Sequence, residues 1–356
     1  MFPFIVMLLV PIVMQHVRVS GIGYQKKNQH ALTFFFVMYT ILVAFRHEGI
    51  GNDTRSYMKY YLAYEQLDWS MIGNVAIERG YVLYNKIISL ISGDPRFFLV
   101  VAAVTVSAMI YPTYRRLGTD TALTIVLFGT ISTFVMSFSG IRQMLAIAIG
   151  FIAYEATRKR KLLVFALAVA AAVSVHTSAF MLAFMYPLYH AKITKKWLYA
   201  IVPVLAVVFV YNEPIFAVLG EVLERYTEYD AEITSTGAYT MLILFLMFTV
   251  IAFLFPNEEK LDEEVLGLRN FLLLSVIIQM FAPLHNLAMR MNYYYIIFIP
   301  LLIPKIIEVR SRRWNQIAVL GRHVMVAFFL LYFFVNASGE GNLHVFPYHF
   351  FWENVG

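Results

Sequence analysis

The stretch ALTFFFVMYTILV, residues 31–43, decides the fold, because it contains no charged residue, no glycine and no proline. Similar apolar runs follow along the chain, in which 60% of residues are hydrophobic and 14% are charged. Soluble domains have about 25% charged residues. Hydrocarbon offers the backbone no hydrogen-bond partners, so membrane-spanning segments are helices or closed barrels, and unbroken apolar runs favour helices. The sequence predicts an all-α integral membrane protein, a single polytopic domain over residues 1–356.

The topology is predicted from the positions of basic residues, which concentrate in cytoplasmic loops. The apolar run at 162–190 is broken near SVHTS (174–178) and has the basic clusters TRKRK (157–161) and HAKITKK (190–196) at its ends. Two short spans, rather than one, place both clusters inside. The chain then has about twelve transmembrane helices, including a short first span at the N-terminus, with both termini outside.

The polar segments of this topology form outer loops near 46–96 and 213–237 and an outer tail at 338–356. Most of the 28 lysines and arginines fall inside, so membrane orientation explains the net charge of +6, and nucleic acid is not an expected partner. The absence of cysteine excludes disulfides and thiolate metal sites. Arginines placed outside oppose the usual bias: they are Arg46, Arg55, Arg79, Arg96, Arg142, Arg225 and Arg290.

The first outer loop follows the opening apolar run directly, with FRHEGIGNDTRSY at 45–57. Tyrosines at 57, 60, 61 and 64 share one face of a helix, which we expect to be amphipathic and to lie at the membrane interface. Interfacial anchoring is favoured for this stripe over a role as a platform for sugars. Asp53 precedes the helix, where N-capping is one role and catalysis is another.

Other outer segments carry similar chemistry. Arg142 and Gln143 stand where an apolar segment restarts, and an arginine at membrane depth is costly enough to indicate function. His176 lies in an apolar setting, where structural and catalytic roles are both open. Glu78 lies in the first outer loop, and Arg290 precedes three consecutive tyrosines that begin at Tyr293.

The coincidence of these groups on one side of the membrane predicts a site. Arginines bind phosphate in bidentate fashion, and a carboxylate or histidine can take a proton from an attacking hydroxyl. The combination suits a lipid diphosphate and an alcohol. No HExxH, DxD or phosphate-binding glycine-rich loop is present, so neither a metal nor another cofactor is expected.

Six stretches together resemble the EpsG branch of the Wzy polysaccharide polymerases, over about residues 45–300. They are FRHEGIGNDTRSYMKYY (45–61), ERGYVLYNKII (78–88), SGIRQMLAIAI (139–149), VHTSAFML (175–182), ERYTEY (224–229) and RMNYYYIIFIPLL (290–302). The resemblance implies a bacterial enzyme of the cytoplasmic membrane with a many-helix fold, for which a GT-C-like arrangement is one candidate. It implies an outward-facing site that takes undecaprenyl-diphosphate-linked oligosaccharide repeats as donor and acceptor.

Roles follow from this resemblance as hypotheses. Diphosphate binding is assigned to Arg142 and Arg290, with Arg46 and Arg225 as second choices. Asp53 is the favoured base and His176 its close rival. The remaining assignments are acceptor orientation by Glu78 and substrate contacts by Tyr57, Gln143 and Tyr293.

The expected reaction is a metal-independent glycosyl transfer that releases undecaprenyl diphosphate, in O-antigen, capsule or exopolysaccharide synthesis. Membrane lipids, a chain-length regulator and a flippase are candidate partners. A flippase acting on the same lipid-linked oligosaccharide, or a membrane acyltransferase that modifies the glycan with His176 or His285 as its base, remains an alternative function.

Overall fold

The computed structural model describes residues 1–16, 23–222, 235–256, 258, 261–311, 315–337 and 343–354. Its helices are α1 (Phe2–His16), α2 (Tyr24–Ala44), α3 (Thr54–Gln66), α4 (Arg79–Ser89), α5 (Pro95–Leu117), α6 (Thr121–Thr130), α7 (Ser132–Ser139), α8 (Ile141–Arg158), α9 (Leu162–Val175), α10 (Met185–His190), α11 (Leu198–Val210), α12 (Asn212–Val222), α13 (Ser235–Leu254), α14 (Glu263–Gln279), α15 (Asn286–Ile296), α16 (Ile299–Ser311) and α17 (Asn315–Ala337). Short 3-10 helices cover Trp69–Asn74, Thr177–Phe184 and Lys195–Trp197. Within those ranges the β structure is one isolated bridge, so the all-α prediction is confirmed.

The chain divides into two compact units. The first comprises Met1–Phe180 and Val319–Gly356, and the second comprises Met181–Ala318. In the first unit, α2 packs on α1, α5 and α6, while α8 lies between α5 and α9. In the second, α14 packs against α10, α13, α15 and α16. That the whole chain forms one polytopic domain stays a prediction.

Several helices are compatible with a membrane protein. Over the described residues three are long and apolar enough to cross a bilayer, namely Pro95–Leu117, Gly237–Leu254 and Val319–Ala337. The number rises to six if each bent helix pair counts as one span. Other apolar helices are short, such as Leu162–Val175, or begin with polar residues, as α2 does. The count of about twelve crossings and a GT-C-like arrangement stay predictions.

The break predicted within the apolar run at 162–190 is confirmed. Helix α9 ends at Val175, His176 has extended backbone, and the chain continues as a 3-10 helix from Thr177. The polar residues of SVHTS therefore stand at a helix end, where side chains and backbone groups can meet partners from other segments.

The aromatic helix of the first outer loop exists as α3, but its predicted role as an interfacial anchor is wrong for most of the stripe. Tyr57, Tyr61 and Tyr64 are buried, whereas Tyr60 is 41% exposed. The buried rings pack on α4 and α5; Tyr61, for example, stacks on Phe98 with centroids 5.0 Å apart. The stripe thus faces protein rather than lipid, because two neighbouring helices cover it.

The loop before α3 is fixed to the end of α7. Thr54 is fully buried, its hydroxyl donates to the Ile50 carbonyl at 2.6 Å, and Arg46 Nε donates to that hydroxyl at 3.1 Å. Gly51 has φ +80 and lies against the carbonyl of Phe138, where a Cβ atom would overlap it. Glycine is needed here both for the left-handed backbone and for the close approach. These contacts explain the spacing of the arginine, glycine and threonine in the first loop.

Backbone hydrogen bonds join the C-terminal segment to the same loop. The His47 N–H donates to the His349 carbonyl at 2.9 Å, and the Phe351 N–H donates to the Phe45 carbonyl at 3.0 Å. These bonds flank the bridge between Arg46 and Phe350. The segment covers Arg46, whose residue surface is 2% exposed.

We expect Gly51→Ala to destabilise the first unit by more than about 2 kcal/mol, since it adds left-handed strain and a clash with backbone. The measurement is the apparent melting temperature of the purified protein in detergent. Gly321→Ala is the control, because this exposed glycine lies inside α17 with nothing within 4 Å of its Cβ position. An equal melting temperature for Gly51→Ala and wild type would contradict the prediction.

Candidate functional site

Glu78 is the centre of a cluster in the first unit that joins three separate segments. Its Oε2 lies 2.7 Å from Arg142 Nη1, and its Oε1 lies 3.2 Å from His176 Nδ1. The same Oε1 accepts hydrogen bonds from the Thr177 backbone N–H at 2.9 Å and the Thr177 hydroxyl at 3.1 Å. The side chains of Glu78, Arg142 and His176 are 16%, 19% and 17% exposed, so they are held by protein yet open to a ligand.

The local sequence explains why Glu78 reaches α9. Glu78 is the residue before α4, but its side chain makes no capping bond to its own helix and points instead to the end of α9. Gly80 lies against Ser174, whose carbonyl oxygen would be 2.6 Å from a Cβ at this position. A larger residue at 80 would separate the two segments. The glycine of ERGY therefore permits the approach that brings Glu78 to His176 and Thr177.

Arg142 is placed by the start of α8 and by aromatic rings. The helix begins after Gly140 without a side-chain cap, so the positive end of its dipole adds to the guanidinium charge. The Arg142 guanidinium carbon lies 5.9 Å from the centroid of the Tyr81 ring. The Arg142 guanidinium also lies close enough to the Tyr57 hydroxyl for its positive charge to lower the pKa of that group. The result is a fixed positive site at the end of a helix.

Tyr57 connects this site to Asp53. Burial is the largest cause of the raised pKa of the Tyr57 hydroxyl; Asp53 raises it further and Arg142 opposes the shift. Tyr57 is therefore a neutral hydroxyl at pH 7 and can act as a hydrogen-bonding group rather than as a base. Its ring is 6.1 Å from that of Tyr81, centroid to centroid.

Of the two roles left open for Asp53, capping of α3 by its side chain is not observed. Asp53 does stand directly before α3, but its backbone is in the right-handed helical region and its side chain makes no capping bond. Its Oδ2 instead accepts a hydrogen bond from the Ser139 hydroxyl at 3.2 Å. The carboxylate thus contacts the last residue of α7, directly before the start of α8.

Opposing effects set the pKa of Glu78. Burial by itself would raise it, but the hydrogen bonds from His176 and Thr177 and the charge of Arg142 outweigh burial, so the pKa lies well below the usual range of a glutamate. Glu78 is therefore ionised throughout the physiological range. A carboxylate held so firmly in its charged form is a weak proton acceptor, which favours an organising role for Glu78.

Two other predicted site residues of this unit lie in its interior. Arg46 donates to the Val43 carbonyl and to Thr54, and its Nη2 has no hydrogen-bond partner among the described atoms. Gln143 follows Arg142 in α8 and is 2% exposed. Arg46 therefore organises the first outer loop, and its assigned role in diphosphate binding stays a prediction, as does substrate contact by Gln143.

The remaining candidates belong to the second unit or lie outside the described residues. Arg290 and the buried Tyr293 are one turn apart on α15. His285, one of the two histidines considered as the base of an acyltransferase, caps this helix by accepting from the Leu287 N–H at 3.0 Å. Arg225 lies outside the described residues. The roles of Arg290, Tyr293 and Arg225 stay predictions.

Sequence reasoning missed Thr177, Ser139 and Tyr81 as members of the cluster. Thr177 contributes a backbone N–H, which no sequence pattern displays. Ser139 and Tyr81 each stand close in sequence to a residue that was singled out, Arg142 and Glu78 respectively, and the quoted motifs contain both. Their closeness in sequence to a charged residue of an outer segment is therefore the signal that could have identified Ser139 and Tyr81.

Metal ligation has no donor set in the described part of the chain, where no group of three or more His, Cys, Asp or Glu side chains is placed to hold an ion. The polar groups of the cluster are an arginine, a carboxylate that it neutralises, an imidazole and hydroxyls. This set suits an anionic ligand that also presents hydroxyl groups.

The sequence model of the EpsG family matches residues 30–350, which is most of the chain. The chain belongs to the EpsG family. Every residue of the Glu78 cluster falls within the matched range, and the resemblance seen in the sequence motifs is confirmed. The EpsG family is associated with polysaccharide polymerase activity. No curated protein and no solved structure matches this EpsG chain.

The depressed pKa of Glu78 predicts a pH-dependent contribution to stability. An unfolded glutamate has a pKa of about 4.3, and the folded value is lower, so ionised Glu78 stabilises the fold above about pH 4.3. This contribution is lost as the pH falls towards the folded pKa. We expect Glu78→Gln to melt below wild type near neutral pH and the gap to narrow below about pH 4.

The measurement is the apparent melting temperature of both proteins in detergent across this pH range. Glu353→Gln is the matched control, because Glu353 forms an exposed ion pair with His349 at 3.1 Å, and we expect almost no gap for it. A gap for Glu78→Gln that stays constant into acid would contradict the prediction.

Proposed function

We propose that this EpsG protein is a polysaccharide polymerase. It joins undecaprenyl-diphosphate-linked oligosaccharide repeat units at the outer face of the bacterial cytoplasmic membrane and releases undecaprenyl diphosphate. Family membership supports the polymerase class. The observation that carries the proposal is the half-buried Arg142, held by Glu78 at an uncapped helix start beside partly exposed proton-accepting groups.

The leaving group explains what Arg142 would do. Negative charge grows on the diphosphate as its bond to the anomeric carbon breaks. A fixed guanidinium in a poorly hydrated site stabilises that charge in the transition state, and the positive end of α8 adds to the effect. Removing one such preorganised donor slows other enzymes by about 10² to 10³. This arrangement supplies the electrostatic stabilisation without a metal ion.

The other reactant is a hydroxyl at the non-reducing end of the incoming lipid-linked repeat. It attacks the anomeric carbon of the growing chain and needs a base. Asp53 and His176 are the candidates for this base, and both belong to the first unit. Ionised Glu78 is bound to Arg142 and Thr177, so direct contact with the acceptor sugar is its weaker role. Tyr57 is proposed as a substrate contact, while the fully buried Tyr81 ring packs beside Arg142.

Arg290 is proposed as a second contact for the diphosphate, with Arg225 and Arg46 as further choices, and Tyr293 and Gln143 as substrate contacts. The candidate partners are a flippase that delivers the lipid-linked repeat and a regulator of chain length. The positive-inside bias supports an outward-facing site, because the loops that carry Asp53, Glu78, Arg142 and His176 fall outside in the topology that it favours.

A flippase would use similar arginines but would need a polar path through the bilayer. An acyltransferase would need a route to a cytoplasmic acyl donor, and Nδ1 of His285, one of its two candidate bases, is used as a helix cap. The contacts of Glu78 with Arg142 and His176 place a cation and a proton acceptor side by side, and this combination favours group transfer. Assays of product and of lipid movement separate these functions.

We expect purified protein in nanodiscs to convert an undecaprenyl-diphosphate-linked repeat into a ladder of longer glycans. Arg142→Met should slow the formation of this ladder by about 100-fold or more, because the charge on the leaving group is no longer stabilised. Arg142→Lys keeps the charge but loses the bidentate fork, so we expect an intermediate rate. Products are measured on gels at fixed times.

Arg55→Met is the matched control, since this exposed outer-loop arginine pairs with Glu48 at 3.4 Å and lies outside the cluster. It should polymerise at the wild-type rate. If the wild-type protein forms no ladder but moves the lipid-linked repeat across proteoliposome membranes, the proposed polymerase function is rejected and transport is the function.

A further inference from the structure

The partner of His176 determines which ring nitrogen can act as a base. Nδ1 lies 3.2 Å from Oε1 of Glu78, and an ionised carboxylate can only accept a hydrogen bond. Nδ1 therefore carries the proton in the neutral ring, and the lone pair lies on Nε2. A carboxylate that holds an imidazole in this tautomer is the arrangement by which a histidine becomes a general base in hydrolytic triads.

Glu78 also fixes the backbone that carries His176. The Oε1 atom that meets the ring accepts from the N–H and the hydroxyl of Thr177, the next residue in the chain. One carboxylate oxygen thus fixes both the His176 ring and the backbone of the next residue. Gly80 makes this contact possible by letting the start of α4 approach the end of α9.

The second oxygen of Glu78 links the same assembly to Arg142 at 2.7 Å. The residue proposed to bind diphosphate and the histidine are therefore held by opposite oxygens of one carboxylate, so their separation is fixed. In a direct displacement, the leaving group and the attacking hydroxyl must be positioned together around the anomeric carbon.

We propose that Glu78 is a positioning residue that makes His176 the general base and sets its distance from Arg142; this inference rests on the proposed polymerase function. Nε2 of His176 takes the proton of the acceptor hydroxyl. The hydroxyl oxygen forms a bond to the anomeric carbon, and the bond from that carbon to the diphosphate oxygen breaks. The electron pair leaves with undecaprenyl diphosphate beside Arg142, and His176 returns its proton to water.

Asp53 is the competing base, and its contacts favour a supporting role. Its carboxylate accepts from Ser139, directly before the start of α8, and its negative charge raises the pKa of the Tyr57 hydroxyl. Imidazole is also a better match than a carboxylate for a base that works near pH 7. Asp53 thus helps to hold the start of α8, while His176 accepts the proton.

Charged and titratable groups stand at the starts of α4 and α8, two helices that pack on α9. Glu78 and Arg79 stand at the start of α4, Tyr81 follows on that helix, and Arg142 stands at the start of α8. The Arg79 guanidinium is directed to the Gly73 carbonyl, 3.4 Å away. Glu78 places a negative charge in contact with the ring, so its removal should disfavour the imidazolium.

The test is the pH dependence of polymerisation by the full chain in nanodiscs, with kcat and KM measured for the undecaprenyl-diphosphate-linked repeat. For Glu78→Gln we expect kcat to fall by about 10- to 100-fold while KM changes by less than about threefold. The acidic limb of the kcat profile should move by about one pH unit to lower pH, because the neutral amide no longer favours the protonated ring. His176→Ala should lose at least about 100-fold in kcat.

Two further variants guard against a merely structural explanation. Thr177→Val removes one of the hydrogen bonds to Glu78 Oε1 but keeps the backbone N–H, so we expect a fall in kcat of about threefold and a folded protein. Asp53→Asn should keep the position of the acidic limb. Glu48→Gln is the matched control, since Glu48 is an exposed outer-loop carboxylate paired with Arg55, and its profile should equal wild type.

An Asp53→Asn protein without activity beside an active His176→Ala protein would overturn the inference and make Asp53 the base. A Glu78→Gln protein that loses activity with an unmoved acidic limb would overturn it as well, because Glu78 would then act on structure alone. Both results require a wild-type ladder. Its absence would instead reject the proposed function, so the two failures are distinguishable.

Discussion

The candidate site depends on one shared carboxylate. Glu78 holds an arginine with one oxygen and a histidine and the following backbone with the other, and these partners come from α8 and from the end of α9. Placing a charge in a half-buried position is costly unless its partners compensate, and here cations and hydrogen bonds both do so. The low pKa of Glu78 expresses that compensation. The position of each proposed reacting group therefore follows from contacts to this residue.

Two glycines allow the backbone approaches on which this arrangement rests. Gly80 lets α4 meet α9, and Gly51, with its positive φ, lets the first outer loop meet the end of α7. The hydrogen bond from Arg46 to Thr54 closes the loop that contains Gly51 and Asp53. Several motif residues of the EpsG sequence are thus explained by close packing. Because these residues lie close to the Glu78 cluster, the same short stretches of chain must satisfy both the packing of the helices and the chemistry of the site.

The sequence indicated the helical class, the break at His176 and the presence of α3, because each depends on local composition and periodicity. It also singled out Asp53, Tyr57, Glu78, Arg142 and His176, since polar residues stand out against an apolar chain. It did not show that the tyrosine stripe is covered by α4 and α5, because periodicity identifies a face and not its neighbour. Nor did it show that Asp53 fails to cap α3, which depends on the backbone angles at that residue. Contacts made by a backbone amide, such as that of Thr177, leave no trace in residue identity.

That amide has a consequence for how sequence variation in this region would be interpreted. The shortest hydrogen bond that Glu78 accepts from the α9 side, at 2.9 Å, comes from the peptide N–H of Thr177 and not from its side chain. Any residue except proline keeps this donor. Position 177 should therefore tolerate many amino acids in a saturation screen, with proline as the exception, while position 78 tolerates few. A backbone N–H can thus make an essential contact at a position where side chains vary, and a comparison of side chains alone would miss it.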